Sequence, residues 1–96
     1  YYAVATYGGD VLVVIYDNGG WLASAEAVDE VFPEGLAKAK GEYPGADFRR
    51  YNIGDTVKSF GGYYKLIESP EEIEESLKEG LKHKLSVVQV IVDKTR

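Results

Sequence analysis

An apolar run at residues 11–16 constrains the fold of this chain most, because four small and polar residues follow it directly. Unbroken apolar runs of this length are typical of strands that are covered on both faces, as in parallel sheets. The residues that follow are Asp17, Asn18, Gly19 and Gly20. They would stand at the carboxyl end of the strand, where open α/β sheets bind their ligands. An amide oxygen and backbone carbonyls at such a point suit a hard cation such as Mg²⁺.

A β-hairpin is the alternative interpretation of this stretch, since Asn-Gly between two apolar runs is the strongest short hairpin signal. Residues 21–28, however, are rich in alanine and spaced as a helix. The apolar residues that would share one side of that helix are Leu22, Ala25, Val28, Val31 and Phe32. This spacing favours a helix over a second strand.

Helical and strand patterns alternate along the rest of the chain. The patterns predict helices at residues 1–7, 36–40, 55–60 and 69–84, and strands at residues 63–67 and 86–92. Alternation of this kind is typical of an α/β fold whose strands are parallel and joined by right-handed crossovers. We therefore predict a sheet of three parallel strands with crossover helices.

The helix at residues 69–84 has the clearest start signal. Ser69, Pro70 and Glu72 fit a capping box with proline at the first helical position. A buried stripe is predicted at Ile73, Leu77 and Leu81. Lys82 and His83 would close the last turn, and Glu74 would pair with Lys78, so the helix is predicted to be structural.

Composition excludes several classes of function. The formal net charge of −5 argues against binding to nucleic acid or to anionic membranes. No apolar run approaches the roughly 20 residues of a membrane span. Without cysteine the chain has no disulfide framework, no zinc-thiolate site and no thiol nucleophile, which fits a cytoplasmic protein.

The order of these elements resembles the carboxyl-terminal part of a thiamine diphosphate-binding domain. The strand followed by Asn18, Gly19 and Gly20 is similar to the second half of that family's cofactor motif. Residues 43–45, 57–62, 67–72 and 87–93 follow in family order and spacing. The resemblance covers nearly the whole chain. It is to the group of acetolactate synthase, oxalyl-CoA decarboxylase and benzoylformate decarboxylase, and it implies a parallel-sheet fragment of the thiamine diphosphate-binding fold.

The resemblance also implies roles for individual residues. Asn18 would give its side-chain oxygen to Mg²⁺, and Gly20 its backbone carbonyl. The ion would bridge to the diphosphate of the cofactor. Trp21 and Leu22 would open the segment that covers the thiazolium ring, with ordinary packing as the alternative for both. The implied cofactor-binding segment is Asp17, Asn18, Gly19, Gly20, Trp21 and Leu22.

The implied activity is decarboxylation or two-carbon transfer on a 2-oxoacid such as pyruvate, with thiamine diphosphate and Mg²⁺ as cofactors. The family's Gly-Asp-Gly, which supplies a third protein ligand, is absent from the sequence. The glutamate that activates the cofactor belongs to another domain of the family. We therefore expect residues 1–96 to lack an upstream portion and to be inactive alone. They should pack against the rest of the enzyme or a second subunit, within a homo-oligomer.

Two alternatives stay open. Asp17 stands where the family has the first Asn of a pair, and this Asp-Asn is more similar to some subunits of 2-oxoacid:ferredoxin oxidoreductases. The second alternative is a non-catalytic, flavodoxin-like α/β module that binds a partner. A Gly-Asp-Gly upstream in the parent gene would favour the enzyme over the module.

Overall fold

The computed structural model describes residues 1–48 and 50–93. The strands are β1 (Val11–Asp17), β2 (Tyr63–Ile67) and β3 (Leu85–Ile91). The helices are α1 (Tyr2–Tyr7), α2 (Leu22–Val31), α3 (Leu36–Lys40), α4 (Ile53–Ser59) and α5 (Ile73–Gly80), with a 3₁₀ turn at Pro70–Glu72. Two compact units are distinguished. The first holds residues 1–17 and 51–92, and the second holds residues 18–48, Arg50 and Asp93.

The first unit contains a three-stranded sheet in the order β1-β3-β2, and both pairs of strands are parallel. The predicted α/β class with a parallel sheet is therefore confirmed. Because β3 has a neighbour on each side, residues 85–90 are buried throughout. None of the helices among the described residues is long and apolar enough to cross a membrane.

Strand β1 is less covered than its apolar sequence predicts. It lies at one edge of the sheet, with β3 as its neighbour. Val11, Val14 and Tyr16 are exposed, Tyr16 by 76%, and the other residues of the strand are half-buried. Among the described residues β1 is thus only partly covered, whereas β3 is buried. Coverage of residues 11–16 on both faces would need further protein, and it stays a prediction.

One buried cluster of the first unit is built on β2 and β3. Ile67, Val88 and Val90 are buried together, and Leu12, Ile73, Leu77 and Val92 pack against them. Two members of the predicted helical stripe, Ile73 and Leu77, therefore face the core as expected. Leu81 does not, since it lies beyond the end of α5 and is 72% exposed.

The predicted capping box is not formed. The Ser69 side chain makes no hydrogen bond to the helix backbone, and its hydroxyl instead donates to the Glu71 carboxylate. The first turn is a 3₁₀ turn, and α5 ends at Gly80, so the helix predicted at residues 69–84 is shorter and Lys82 and His83 follow it. The predicted ion pair of Glu74 with Lys78 is present at 3.0 Å.

The second unit has a small core of its own. Ala25 of α2 is buried with Tyr43 and Ala46, and Ala37 of α3 packs against them. The Tyr43 hydroxyl donates a 2.5 Å hydrogen bond to Asp29 on α2. The other residues of the predicted apolar side of α2 are not buried. Leu22 is half-buried, and Val28, Val31 and Phe32 are exposed.

Candidate functional site

The predicted cofactor segment connects β1 to α2. Asp17 is the last residue of β1, Trp21 is the N-cap of α2 and Leu22 is its first residue. The prediction of a helix after the Asn-Gly pair is therefore confirmed, and the hairpin alternative is wrong. Asn18, Gly19 and Gly20 form the turn between the two elements.

Asn18 holds this turn through its own side chain. Its Oδ1 accepts a 3.2 Å hydrogen bond from the Gly20 N–H, the two-residue contact that asparagine commonly makes in turns. Gly19 between them has a φ of 77°, in the left-handed region that glycine adopts without strain. The sequence Asn-Gly-Gly thus has a local structural reason as well as its predicted role.

Gly20 forms an isolated antiparallel bridge with Asp47. The hydrogen bonds of this bridge come from its neighbours: Trp21 N–H donates to the Ala46 carbonyl at 2.7 Å, and Phe48 N–H donates to the Gly19 carbonyl at 2.8 Å. A Cβ atom placed on Gly20 would lie 2.4 Å from the Ala46 carbonyl oxygen. Residue 20 must therefore be glycine for the two segments to approach so closely.

The same bridge sets the direction of the Gly20 carbonyl. When hydrogen bonds come from the flanking residues, the N–H and C=O of the bridging residue both point away from the partner segment. The Gly20 N–H points to Asn18 Oδ1, and its carbonyl accepts no hydrogen bond among those of the described residues. From this pattern we expect Asn18 Oδ1 and the Gly20 carbonyl, the two oxygens predicted as Mg²⁺ ligands, to lie on the same side of the turn.

This donor set fits the implied ion. Mg²⁺ takes oxygen ligands and commonly combines few protein ligands with waters and substrate phosphates. Within the ranges that the structure describes, no group of three or more His, Asp or Glu residues could hold a metal ion. A Mg²⁺ ion at this turn would then use neutral oxygens from the chain and charged oxygens from the diphosphate.

Trp21 presents its ring outside the core of the second unit. The side chain is 61% exposed and meets the Phe48 ring edge-on, with 5.0 Å between the centroids. It borders a largely apolar cavity of about 350 Å³, which Val28 and Tyr43 also line. Leu22 is half-buried. The contact with Phe48 agrees with ordinary packing, the alternative considered for these two residues, and the exposed part of the Trp21 ring stays available to a ligand.

Asp17 belongs to a hydrogen-bonded row that the sequence analysis did not find. Gln89 on β3 donates from Nε2 to the Asp17 carboxylate at 2.6 Å, and the Tyr64 hydroxyl donates to Gln89 Oε1 at 2.5 Å. Burial, and secondly the charge of Asp17, raise the pKa of Tyr64, so its hydroxyl stays a donor. The available signal was Gln89 itself, a polar residue among the valines of an apolar strand.

No protein-family model, no curated protein and no solved structure matches this chain. The geometry of the turn and the resemblance of its sequence are therefore the basis on which a function is proposed.

Proposed function

We propose that these residues are part of a thiamine diphosphate- and Mg²⁺-dependent enzyme that acts on a 2-oxoacid. Residues 17–22 would supply the second half of the motif that holds the metal and the diphosphate. One observation carries the proposal: Asn18 and Gly20, joined by a hydrogen bond from the Gly20 N–H to Asn18 Oδ1, form a turn directly after the carboxyl end of a parallel strand. The resemblance assigns Mg²⁺ ligation to Asn18 Oδ1 and the Gly20 carbonyl.

Each residue has a defined part in this proposal. Asn18 Oδ1 accepts one hydrogen bond and keeps a second lone pair for the metal. Gly19 and Gly20 allow the backbone to turn and to approach Ala46 closely. The exposed ring of Trp21 would exclude water from the cofactor. When bound, thiamine diphosphate supplies a nucleophilic carbon that adds to the carbonyl of the 2-oxoacid.

The proposal includes partners. A third protein ligand and the activating carboxylate would come from the rest of the enzyme or from a second subunit, in a cytoplasmic homo-oligomer. The exposed apolar side chains of β1, Val11 and Val14 among them, support contact with further protein. The absence of cysteine is compatible with a reducing compartment.

One observation favours an alternative within the same cofactor class. The Asp17 carboxylate has a defined partner in the fold, because Gln89 donates a hydrogen bond to it. An Asp-Asn pair at this point is more similar to subunits of 2-oxoacid:ferredoxin oxidoreductases, which would pass electrons to an iron-sulfur protein. Reduction of ferredoxin by the complete enzyme in the presence of pyruvate and coenzyme A would select this alternative.

Replacing Asn18 by alanine tests the proposed site. In the complete enzyme, Asn18→Ala should weaken Mg²⁺-dependent binding of thiamine diphosphate by about tenfold or more, because a metal ligand is lost. Calorimetric titration with the cofactor at several Mg²⁺ concentrations measures this effect.

Asn52→Ala is the matched control. The Asn52 side chain caps α4 by accepting a 3.1 Å hydrogen bond from the Asp55 N–H. Its loss should lower stability by about 1 kcal/mol and leave cofactor binding unchanged. Equal cofactor titrations for wild type and Asn18→Ala would remove the metal role. A wild-type enzyme that binds no thiamine diphosphate would favour the non-catalytic module.

A further inference from the structure

A row of three polar side chains crosses the sheet of the first unit from β2 to β1. In the strand register Tyr64 is level with Val87, and Asp17 is level with Ile91. Gln89 lies between these two levels on β3, so all three side chains share one face of the sheet. We propose that Gln89 and Tyr64 are positioning residues that fix Asp17, the first residue of the proposed cofactor-binding segment. This inference rests on the proposed function.

Tyr64 determines which way the Gln89 amide points. The Tyr64 hydroxyl donates to Oε1, so the NH₂ group of the amide is directed at the Asp17 carboxylate. In the reversed orientation the amide oxygen would face the carboxylate, and two acceptors would meet. Tyr64 therefore acts on Asp17 through Gln89, without touching it in this row.

Asp17 is bound by β3 and by the residue that follows this strand. Its carboxylate accepts from Gln89, and its backbone carbonyl accepts a 3.0 Å hydrogen bond from the Val92 N–H. Side chain and main chain of the residue are thus both fixed. The proposed cofactor-binding segment therefore begins at a residue that the first unit holds in place.

The surroundings of Gln89 indicate that the strand itself does not need an amide there. Gln89 is only 3% exposed, and the neighbouring positions Val87, Val88 and Val90 are buried valines. Burying an amide is unfavourable unless its hydrogen bonds are satisfied, whereas another aliphatic residue would pack without partners. What the amide adds is the link from Tyr64 to Asp17.

Two substitutions test this role in the complete enzyme. Gln89→Leu removes the link and should weaken Mg²⁺-dependent binding of thiamine diphosphate by about tenfold. Tyr64→Phe keeps the ring, which lies against Gly54, and removes only the hydroxyl that orients the amide. It should weaken the same binding by about threefold, a smaller effect because Gln89 remains. Calorimetric titration gives the affinity, and thermal melting gives the stability of each variant.

Ser86→Ala is the matched control on the same strand. Ser86 is fully buried near the other end of β3 and donates a 2.5 Å hydrogen bond to the Gly80 carbonyl. Its loss should lower the melting temperature as the test variants do, while cofactor affinity stays at the wild-type value. A merely structural role of Gln89 would give the same result as Ser86→Ala.

Asn18→Ala in the same series separates the two claims. If Asn18→Ala binds weakly while Gln89→Leu and Tyr64→Phe match Ser86→Ala, the positioning role is wrong and the proposed function stands. If Asn18→Ala binds as wild type does, both are wrong. Should Gln89→Leu fail to fold, Tyr64→Phe alone decides, because an affinity equal to that of Ser86→Ala overturns the inference.

Discussion

Replacing Gly20 by alanine is expected to abolish most Mg²⁺-dependent binding of thiamine diphosphate, a loss of about a hundredfold in affinity. A Cβ atom at this position would meet the Ala46 carbonyl oxygen at 2.4 Å, and that atom is backbone. The bridge to Asp47 would have to open, which would move the Gly20 backbone that is bonded to Asn18 Oδ1. The collision should also lower the free energy of unfolding by about 1–3 kcal/mol.

Gly41→Ala is the control for this prediction. Gly41 ends α3 with a left-handed φ of 68°, and a Cβ atom there would meet nothing within 4 Å. Its replacement should therefore cost about 1 kcal/mol of backbone strain and leave cofactor affinity unchanged. Calorimetric titration and denaturant unfolding of both variants make the comparison. If Gly20→Ala binds the cofactor as tightly as Gly41→Ala does, the close approach at Ala46 has no part in the site.

Truncation of Ile67 is expected to cause the largest loss of stability in the first unit. Ile67→Ala should lower the free energy of unfolding by about 2–5 kcal/mol, because it leaves a cavity where Ile67, 1% exposed, packs with Val88 and Val90. Leu66→Ala is the matched control, since Leu66 is the preceding residue of β2 and is 39% exposed. Leu66→Ala should lower the free energy of unfolding by only about 1 kcal/mol. Equal losses of stability in urea unfolding would contradict the assignment of Ile67 to the buried core.

The elements of the fold were predictable because their signals are local. Apolar runs predicted β2 and β3, and helical spacing after Gly20 predicted α2. Burial was less predictable, since it depends on which elements cover a face. Strand β1 has nearly the same apolar character as β3, but β3 is central and β1 lies at an edge. Leu81 fits the helical spacing of Ile73 and Leu77, but α5 ends before it.

In the candidate site, too, the local features were predictable and the contacts between distant residues were not. The turn itself was predictable from Asn18, Gly19 and Gly20 in sequence. The contacts that direct it were not, because their partners are distant along the chain. Gly20 is constrained by Ala46, and Asp17 is bound by Gln89, which lies 72 residues further on. Ser69 illustrates the opposite error, since its local capping pattern was clear but its hydroxyl binds Glu71 instead.

Replacing Mg²⁺ by paramagnetic Mn²⁺ tests the central claim most directly. The complete enzyme would be labelled with ¹⁵N in Asn, Gly and Trp only, and amide spectra recorded with thiamine diphosphate at substoichiometric Mn²⁺. The account predicts that the Asn18 side-chain amide and the Gly20 and Trp21 backbone signals broaden first, while the Asn52 side chain stays sharp. Sharp Asn18 and Gly20 signals, with broadening instead at Gly80 of the acidic helix α5, would contradict it.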